Sequence, residues 1–223
     1  MLKTYSNQLD EINEKIVNIA ESLLAANRVI LNGLQECDKE LLESAKNSLK
    51  NMSSKTVKID NTIVKLLALY TPEAKDLRLI VSFLKITNEL VRASSNTRSF
   101  ISGLSNYCKE LDEVTVKEFA VPMQKSTVEC LAAVVEMIKT TCEDETQDNF
   151  NKVLIAESKA DDFYEILQDH IIKMAPNIED FGKFTKILSA LRKSEKIADR
   201  ALDIASLLLF ARLGGELGTV ISE

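Results

Sequence analysis

The chain has 223 residues, with 34 Asp and Glu against 28 Lys and Arg, and a formal net charge of −6. This length can bury a core as one large domain or two smaller ones. The negative charge argues against nucleic-acid binding, because no basic surface is available to neutralise phosphates. Only 6 glycines and 3 prolines are present, which favours long helices with few connections over strands that turn often.

Periodic apolar residues predict six long helices. In chain order these cover residues 5–35, 38–70, 73–108, 118–142, 146–175 and 178–212. Turn residues stand at the breaks: Thr71-Pro72 precedes the third helix, Pro122 opens the fourth, and Pro176 precedes the sixth. The glycine-rich segment from Gly214 is expected to end the last helix and to fray. The pattern therefore predicts an all-α protein.

The two halves of the chain resemble each other. Pro72 and Pro176 are each followed, four residues later, by an aspartate. In the first half this aspartate is Asp76. The offset between the two prolines also aligns Val91 with Glu195. This internal duplication predicts two tandem three-helix bundles packed side by side. The predicted domains are a first bundle, a second bundle and a flexible tail, at residues 1–110, 111–213 and 214–223.

Two short segments carry the same acidic pattern. Glu157 to Asp161 and Glu195 to Asp199 both read Glu-x-x-Ala-Asp, and each Glu falls where the helical period predicts a buried apolar residue. A carboxylate there is costly unless a positive charge lies beside it. Two such pairs on neighbouring helices could bind one cation, and carboxylates suit Mg, Mn, Fe or Ca. The alternative is a solvated acidic edge, because a chain with 34 acids contains such pairs by chance.

One segment carries a family resemblance. Residues 70–78 read Tyr-Thr-Pro-Glu-Ala-Lys-Asp-Leu-Arg and closely resemble the P-x-A-x-D-L-R segment of PhoU proteins, which are bacterial regulators of phosphate uptake. Residues 195–204 are similar to the family's E-R-I-G-D-x-A-x-N-I, with Ala198 in place of Gly and Asp203 in place of Asn. In that family, each three-helix repeat carries a pair of E(D)xxxD motifs that holds a metal cluster.

The resemblance implies a metal site in the second half only. It implies a divalent or trivalent cation, such as iron, manganese or magnesium, held by Glu157, Asp161, Glu195 and Asp199. In the first half, Val91 and Ser95 stand where the family has acids, and Arg92 between them is retained. A hard cation needs several charged oxygens, so we expect an apolar plug there and one acidic site per chain.

The resemblance also implies a function. It implies a cytoplasmic negative regulator of phosphate uptake and phosphate signalling that contacts the ATPase subunit of a phosphate ABC transporter and a sensor histidine kinase. Homodimers are expected, and insertion into the membrane is not. Asp76, Arg78 and Arg92 are interpreted first as hinge architecture, with partner contact as a second role.

An enzyme is not expected, because no nucleophile with an adjacent base can be assembled around the single histidine, His170. Two alternatives stay open. One is a PhoU-like module that serves a different phosphate permease or a sodium–phosphate cotransporter. The other is a carboxylate-bridged metalloenzyme of the helical-bundle type.

Overall fold

The computed structural model describes residues 2–36, 38–107, 109, 111–174 and 178–215, and over these residues it contains helices and no strand. A π-helical segment, Thr115–Ala120, runs directly into the fifth helix. The helices are α1 (Leu2–Glu36), α2 (Lys39–Ser48), α3 (Met52–Leu69), α4 (Ala74–Tyr107), α5 (Val121–Lys139), α6 (Glu143–Met174) and α7 (Ile178–Leu213). The prediction of an all-α fold is confirmed.

The predicted second helix, 38–70, is divided into two. Asp38 begins α2 by accepting hydrogen bonds from the backbone N–H groups of Glu40, at 2.9 Å, and Leu41, at 3.0 Å. Asn51 then adopts a left-handed conformation, with φ of 63°, between α2 and α3. A residue with positive φ cannot continue a right-handed helix, so a single helix over this range was wrong. Together α2 and α3 serve as the second member of the first bundle.

Helical backbone begins earlier than predicted ahead of α5. The side chain of Asp112 accepts a hydrogen bond from the N–H of Thr115 at 2.9 Å, as a helix cap does. The N–H of Val121 then bonds to the carbonyl of Val116, five residues back. Pro122 stands in the first turn of α5, as predicted, but follows this wider π turn. The wider turn accommodates a proline ring that would collide with an α-helical carbonyl four residues earlier.

The two bundles meet along α4 and α7, which run antiparallel. Near the end of α4, Gly103 faces Ala190 in the first half of α7. Nearer the start of α4, Glu89 pairs with Arg200 in the second half of α7. A Cβ atom added at Gly103 would lie 2.4 Å from the Cβ of Ala190, so the absence of a side chain permits this close approach.

One continuous apolar core joins the bundles and includes residues from all seven helices. Within it, α1 packs against α5 and α6 against α7. The largest fully buried side chains include Phe83, Phe100, Ile12, Ile16, Leu23 and Ile30. None of the described helices combines the length and the apolar character that crossing a membrane requires. The core therefore fixes the relative positions of α4, α6 and α7, on which the acidic motifs depend.

The end of α7 follows the sequence prediction. Gly214 and Gly215 have φ of 87° and 96°, which glycine adopts without strain, and the N–H of Gly214 bonds to the carbonyl of Phe210 at 3.0 Å. Pro176 and the predicted frayed tail after Gly215, 216–223, lie outside the described residues.

Candidate metal centre

The four acids of the two Glu-x-x-Ala-Asp motifs lie on α6 and α7, which pack against each other. Glu157 and Asp161 are one turn apart on α6, and Glu195 and Asp199 are one turn apart on α7. Burial raises the pKa of Glu157, and the charges of Asp199, Asp161 and Glu195 raise it further. The other three motif acids are thus near enough for their charges to raise the pKa of Glu157, and a shared metal site stays a prediction.

Glu195 is the buried member of this group. Only 5% of the residue is exposed, which agrees with its position in the apolar seam of α7. Its Oε1 accepts a hydrogen bond from Nζ of Lys196 at 2.6 Å, whereas its Oε2 is buried and has no partner. Burial raises the pKa of Glu195, and the hydrogen bond from Lys196 opposes that effect. One carboxylate oxygen thus remains uncompensated, which is the costly arrangement that the sequence pattern implied.

Lys196 bridges the two acids of α7. Its Nζ lies 2.6 Å from Oε1 of Glu195 and 2.7 Å from Oδ2 of Asp199, and its side chain is 34% exposed. Burial lowers the pKa of Lys196, but the hydrogen bonds and charges of Asp199 and Glu195 outweigh burial and raise it. The chain therefore places its own cation between two of the four predicted metal ligands.

A second cation connects the acidic site with α4. Nη1 of Arg200 lies 2.6 Å from Oδ2 of Asp203 and 3.1 Å from Oε2 of Glu89, while Nη2 is 3.8 Å from Oδ2 of Asp199. Glu89 in turn accepts from Arg92, at 3.1 Å. Arg200 is thus anchored by acids on two helices and joins the second bundle to the first.

A fully buried polar network lies beside the acidic site. Nε2 of Gln124 donates to both oxygens of Asn27 at 3.1 Å, and Oε1 of Gln124 accepts from Oγ of Ser194 at 2.6 Å. Thr127 bonds to Ser194 at 3.0 Å, and Asn27 donates to Thr97 at 3.2 Å. These residues, none of them exposed, come from α1, α4, α5 and α7. The network therefore holds α7 in place at Ser194, the residue directly before the buried Glu195.

The four acids fit a hard cation by charge and donor type. The buried, unpartnered Oε2 of Glu195 is an oxygen that a cation would satisfy. Within the described part of the chain, however, no three acidic, histidine or cysteine side chains are grouped closely enough to hold a metal ion. Oxygens of Glu195 and Asp199 pair with the ammonium of Lys196 instead.

The corresponding region of the first half lacks carboxylates at the motif positions. Val91 is half-buried and Ser95 is exposed. The nearest acid on α3 is Asp60, which accepts a hydrogen bond from Thr87 at 2.7 Å. The asymmetry between the halves stays a prediction for metal binding itself.

The predicted hinge residues lie apart from one another along α4. Asp76 is next to Tyr5, and burial together with the Asp76 carboxylate raises the pKa of Tyr5 to about 12. The rings of Tyr5 and Tyr70 are 5.2 Å apart in an edge-on arrangement. Arg78 is half-buried, and a Cβ added at Gly214 would lie 3.7 Å from its guanidinium carbon. Asp76 and Arg78 therefore connect the start of α4 with α1 and with the end of α7, and their hinge role stays a prediction.

Arg92, the third of these residues, is exposed and pairs with Glu89. Sequence reasoning missed the roles of Lys196, Arg200 and Glu89. A signal for Lys196 was present, because it lies inside the second motif and directly follows its buried glutamate.

The fold and the site together define a class of protein. It is all-helical, has two three-helix bundles, and carries paired acidic motifs on its last two helices. Residues 16–100 match the family model of the PhoU domain. A phosphate-specific transport system accessory protein PhoU homolog from Pseudomonas aeruginosa is 23% identical over 218 residues, or 93% of this chain and 87% of that protein. The first half of the chain therefore resembles the PhoU domain, and the chain as a whole is similar in sequence to a PhoU homolog.

Solved structures support the fold. The crystal structure of PhoU from Pseudomonas aeruginosa aligns with a TM-score of 0.81 at 19% identity, covering 95% of this chain and 100% of that one. The phosphate transport system regulatory protein PhoU from Streptococcus pneumoniae aligns with a TM-score of 0.76 at 21% identity, covering 95% and 98%.

Proposed function

We propose that this chain is a cytoplasmic, metal-binding regulator of phosphate transport. In this role it restrains phosphate uptake and phosphate signalling by contacting the ATPase subunit of a phosphate ABC transporter and a sensor histidine kinase. The proposal is supported by the match to the PhoU domain and by relatives whose names describe phosphate-transport accessory and regulatory proteins. The observation that carries the metal site is the buried, unpartnered oxygen of Glu195 among the acids of both motifs.

A cation bound by Glu157, Asp161, Glu195 and Asp199 would neutralise carboxylates that otherwise repel one another. Like charges at this spacing oppose the packing of α6 against α7, and a bound cation converts that repulsion into a link. The angle between these helices would then depend on the metal. Because Arg200 ties α7 to α4, the effect would extend to the surface shared by both bundles.

Metal analysis of purified protein tests the site. We expect Glu195→Gln with Asp199→Asn to lower metal content after loading with iron, manganese or magnesium, because two of four charged ligands are lost. The matched control is Asp144→Asn with Asp148→Asn, an exposed acidic pair of the same spacing on α6. Unchanged metal content in the first variant would refute the site.

Removal of the gene tests the regulatory role. We expect cells without the gene to take up more labelled phosphate than the parent strain when phosphate is abundant. A plasmid copy of the gene should lower uptake to the level of the parent strain. The proposal fails if uptake and the expression of transporter genes are the same with and without the chain.

Binding measurements test the partners and the oligomeric state. We propose that the chain forms homodimers and binds the purified ATPase subunit and the kinase. Light scattering would give the mass of the chain alone, and interferometry with each immobilised partner would give affinity. A monomeric mass, or no binding to either partner with and without metal, would contradict the corresponding proposal.

A second candidate partner is a different phosphate permease or a sodium–phosphate cotransporter. The absence of acids at Val91 and Ser95 favours this candidate, because the first half departs there from the family pattern. A redox metalloenzyme is not proposed. The ring of His170 lies 4.9 Å from that of Phe119, more than two turns of α6 beyond Asp161, whereas Glu-x-x-His di-iron sites need two histidines among the ligands.

A further inference from the structure

One face of α3 is exposed to solvent and combines apolar side chains with lysines. Its residues recur at the three- and four-residue steps of a helix, and all of them are exposed: Val57, Lys58, Asn61, Val64, Lys65 and Ala68. We call these six residues the α3 face. Val57 is 51% exposed and Val64 is 58% exposed, and a lysine follows each of them directly. The α3 face is therefore an exposed apolar stripe with a basic edge.

The one acid of α3 is turned away from this face. Asp60 is half-buried, and its Oδ1 accepts a hydrogen bond from Thr87 on α4 at 2.7 Å. Lys58 and Lys65 form no ion pair within the part of the chain that the structure describes. The α3 face is thus a basic patch without internal neutralisation, on a chain whose net charge is −6.

A groove beside the α3 face extends the positive charge towards α1. It lies between α1 and α3, has a volume of about 300 Å³, and is lined in part by Lys15, Lys55 and Lys58. Lys15 pairs with Glu11 at 2.6 Å, whereas Lys55 has no ionic partner among the described residues. A partner that lies on the α3 face therefore meets further ammonium groups along one side.

The opposite flank of the molecule carries the opposite charge. Whereas α3 packs against α1 and α4, α6 packs against α5 and α7. α6 contains nine Asp and Glu against three Lys, and most of these acids are exposed. An acidic partner is repelled by α6 and attracted by α3, so the charge distribution selects the flank to which such a partner binds.

We propose that the α3 face is a docking surface for an acidic amphipathic helix of a partner protein. Val57 and Val64 are seven residues apart, as are Lys58 and Lys65, and seven residues span two helical turns. A partner helix that lies along α3 matches this spacing when its apolar residues and its carboxylates each repeat every seven residues. Its apolar residues cover the two valines, and its carboxylates pair with the lysines at the rim. This surface belongs to the first bundle, so it does not depend on the proposed metal site.

The first test measures binding of a fluorescein-labelled synthetic helix of three heptads, in which leucine and glutamate each repeat every seven residues. Its fluorescence anisotropy is followed as the full chain is added at physiological ionic strength. In Lys58→Glu with Lys65→Glu we expect the dissociation constant to rise at least about tenfold, because two attractive charge pairs become repulsive. In Val57→Ser with Val64→Ser we expect a rise of at least about threefold, because less apolar area is buried.

The matched control is Lys152→Glu with Lys159→Glu. These lysines are exposed on α6 and have the same seven-residue spacing, so the variant has the same change in net charge. The dissociation constant should stay within about twofold of wild type, because charges beyond the Debye length of about 8 Å are screened. A peptide with lysine in place of glutamate should not bind to the wild-type chain.

Weaker binding by the α3 variants, with the α6 variant unchanged, supports the inference. Equal weakening by both lysine variants overturns it, because the effect is then one of net charge. No binding of the acidic helix to the wild-type chain also overturns it. Binding of the wild-type chain to phosphatidylglycerol vesicles, but not to the helix, assigns the face to a membrane surface instead. Self-association that light scattering detects in wild type, and that Lys58→Glu with Lys65→Glu abolishes, assigns the face to a second copy and overturns the proposal.

A second test uses the wild-type chain and therefore does not depend on how a variant folds. Lysines are acetylated briefly with an N-hydroxysuccinimide ester, with and without saturating acidic helix, and the modified peptides are quantified by mass spectrometry. We expect the helix to lower the labelling of Lys58 and Lys65 by at least about threefold, because paired ammonium groups are shielded from the reagent. Labelling of Lys152 and Lys159 should stay constant. Protection that is absent at Lys58 and Lys65, or equal on both helices, overturns the inference.

Discussion

Oε2 of Glu89 on α4 lies 3.1 Å from Nη1 of Arg200 on α7, and this ion pair joins the two bundles beside the acidic site. Both side chains are largely buried, at 13% and 19% exposed. The pair therefore differs from the surface ion pairs of this chain, which solvent screens and which contribute little to stability.

The first prediction concerns this ion pair. Arg200→Met leaves Asp203 without this partner and leaves Glu89 paired only with the exposed Arg92 among the described residues. We expect the free energy of unfolding in urea to fall by about 2–3 kcal/mol, less than for a fully buried pair. Arg92→Met, which removes an exposed partner of the same Glu89, should cost less than about 1 kcal/mol. Equal losses in the two variants would show that burial of Arg200 is not what matters.

The second prediction concerns the close approach of α4 and α7. Gly103→Ala places a Cβ 2.4 Å from that of Ala190, so a backbone must move. We expect a loss of about 1–3 kcal/mol in chemical denaturation. Adding Ala190→Gly should restore most of the lost stability, because it removes the colliding Cβ. A deficit of about 1 kcal/mol should remain, because the new glycine lies inside a helix. A double variant no more stable than Gly103→Ala would argue against this contact.

The third prediction concerns the buried polar network. Gln124→Leu leaves Asn27 without a donor and Ser194 without an acceptor in a region closed to water. We expect a loss of about 2–4 kcal/mol, measured by thermal and urea unfolding. Gln147→Leu, at a surface hydrogen bond of α6, is the control and should change stability by less than about 0.5 kcal/mol. If Gln124→Leu were as stable as wild type, the network would not depend on the hydrogen bonds of Gln124.

The fourth prediction concerns pH. The raised pKa of Glu157 means that the folded protein holds this proton more tightly than the unfolded chain does. Its contribution favours folding fully below the usual value of 4.5 and is lost as the pH rises through the folded-state pKa. With a chelator present, Glu157→Gln should be more stable than wild type at pH 7, by less than about 1 kcal/mol because solvent screens a partly exposed group.

The measurement is urea unfolding of both proteins from pH 4 to pH 8. The advantage of Glu157→Gln should shrink as the pH falls and vanish when Glu157 itself is protonated. Asp148→Asn, which neutralises an exposed acid on the same helix, should show a much smaller pH-dependent difference. An advantage that persists unchanged at the lowest pH would have to arise from packing rather than from charge.

Much of the fold could be predicted because its signals are local. The apolar period along each helix reports which face is buried, so the ends of α1, α4, α6 and α7 fell within three residues of prediction. The break at Asn51 was missed because the apolar period continues across it, and a left-handed asparagine leaves only a weak signal. The π turn before Pro122 was missed for a similar reason, since one inserted residue hardly alters the pattern.

The sequence by itself determined that the chain is helical and that two glutamates fall at seam positions of the helical period. Those features depend on spacing along one helix, which residue order fully specifies. Only the tertiary structure decided that Lys196 lies between Glu195 and Asp199, and that Arg200 reaches Glu89 on α4. Ion pairs of long side chains depend on rotamers and on the antiparallel register of two helices, and that register is set by packing across the whole core.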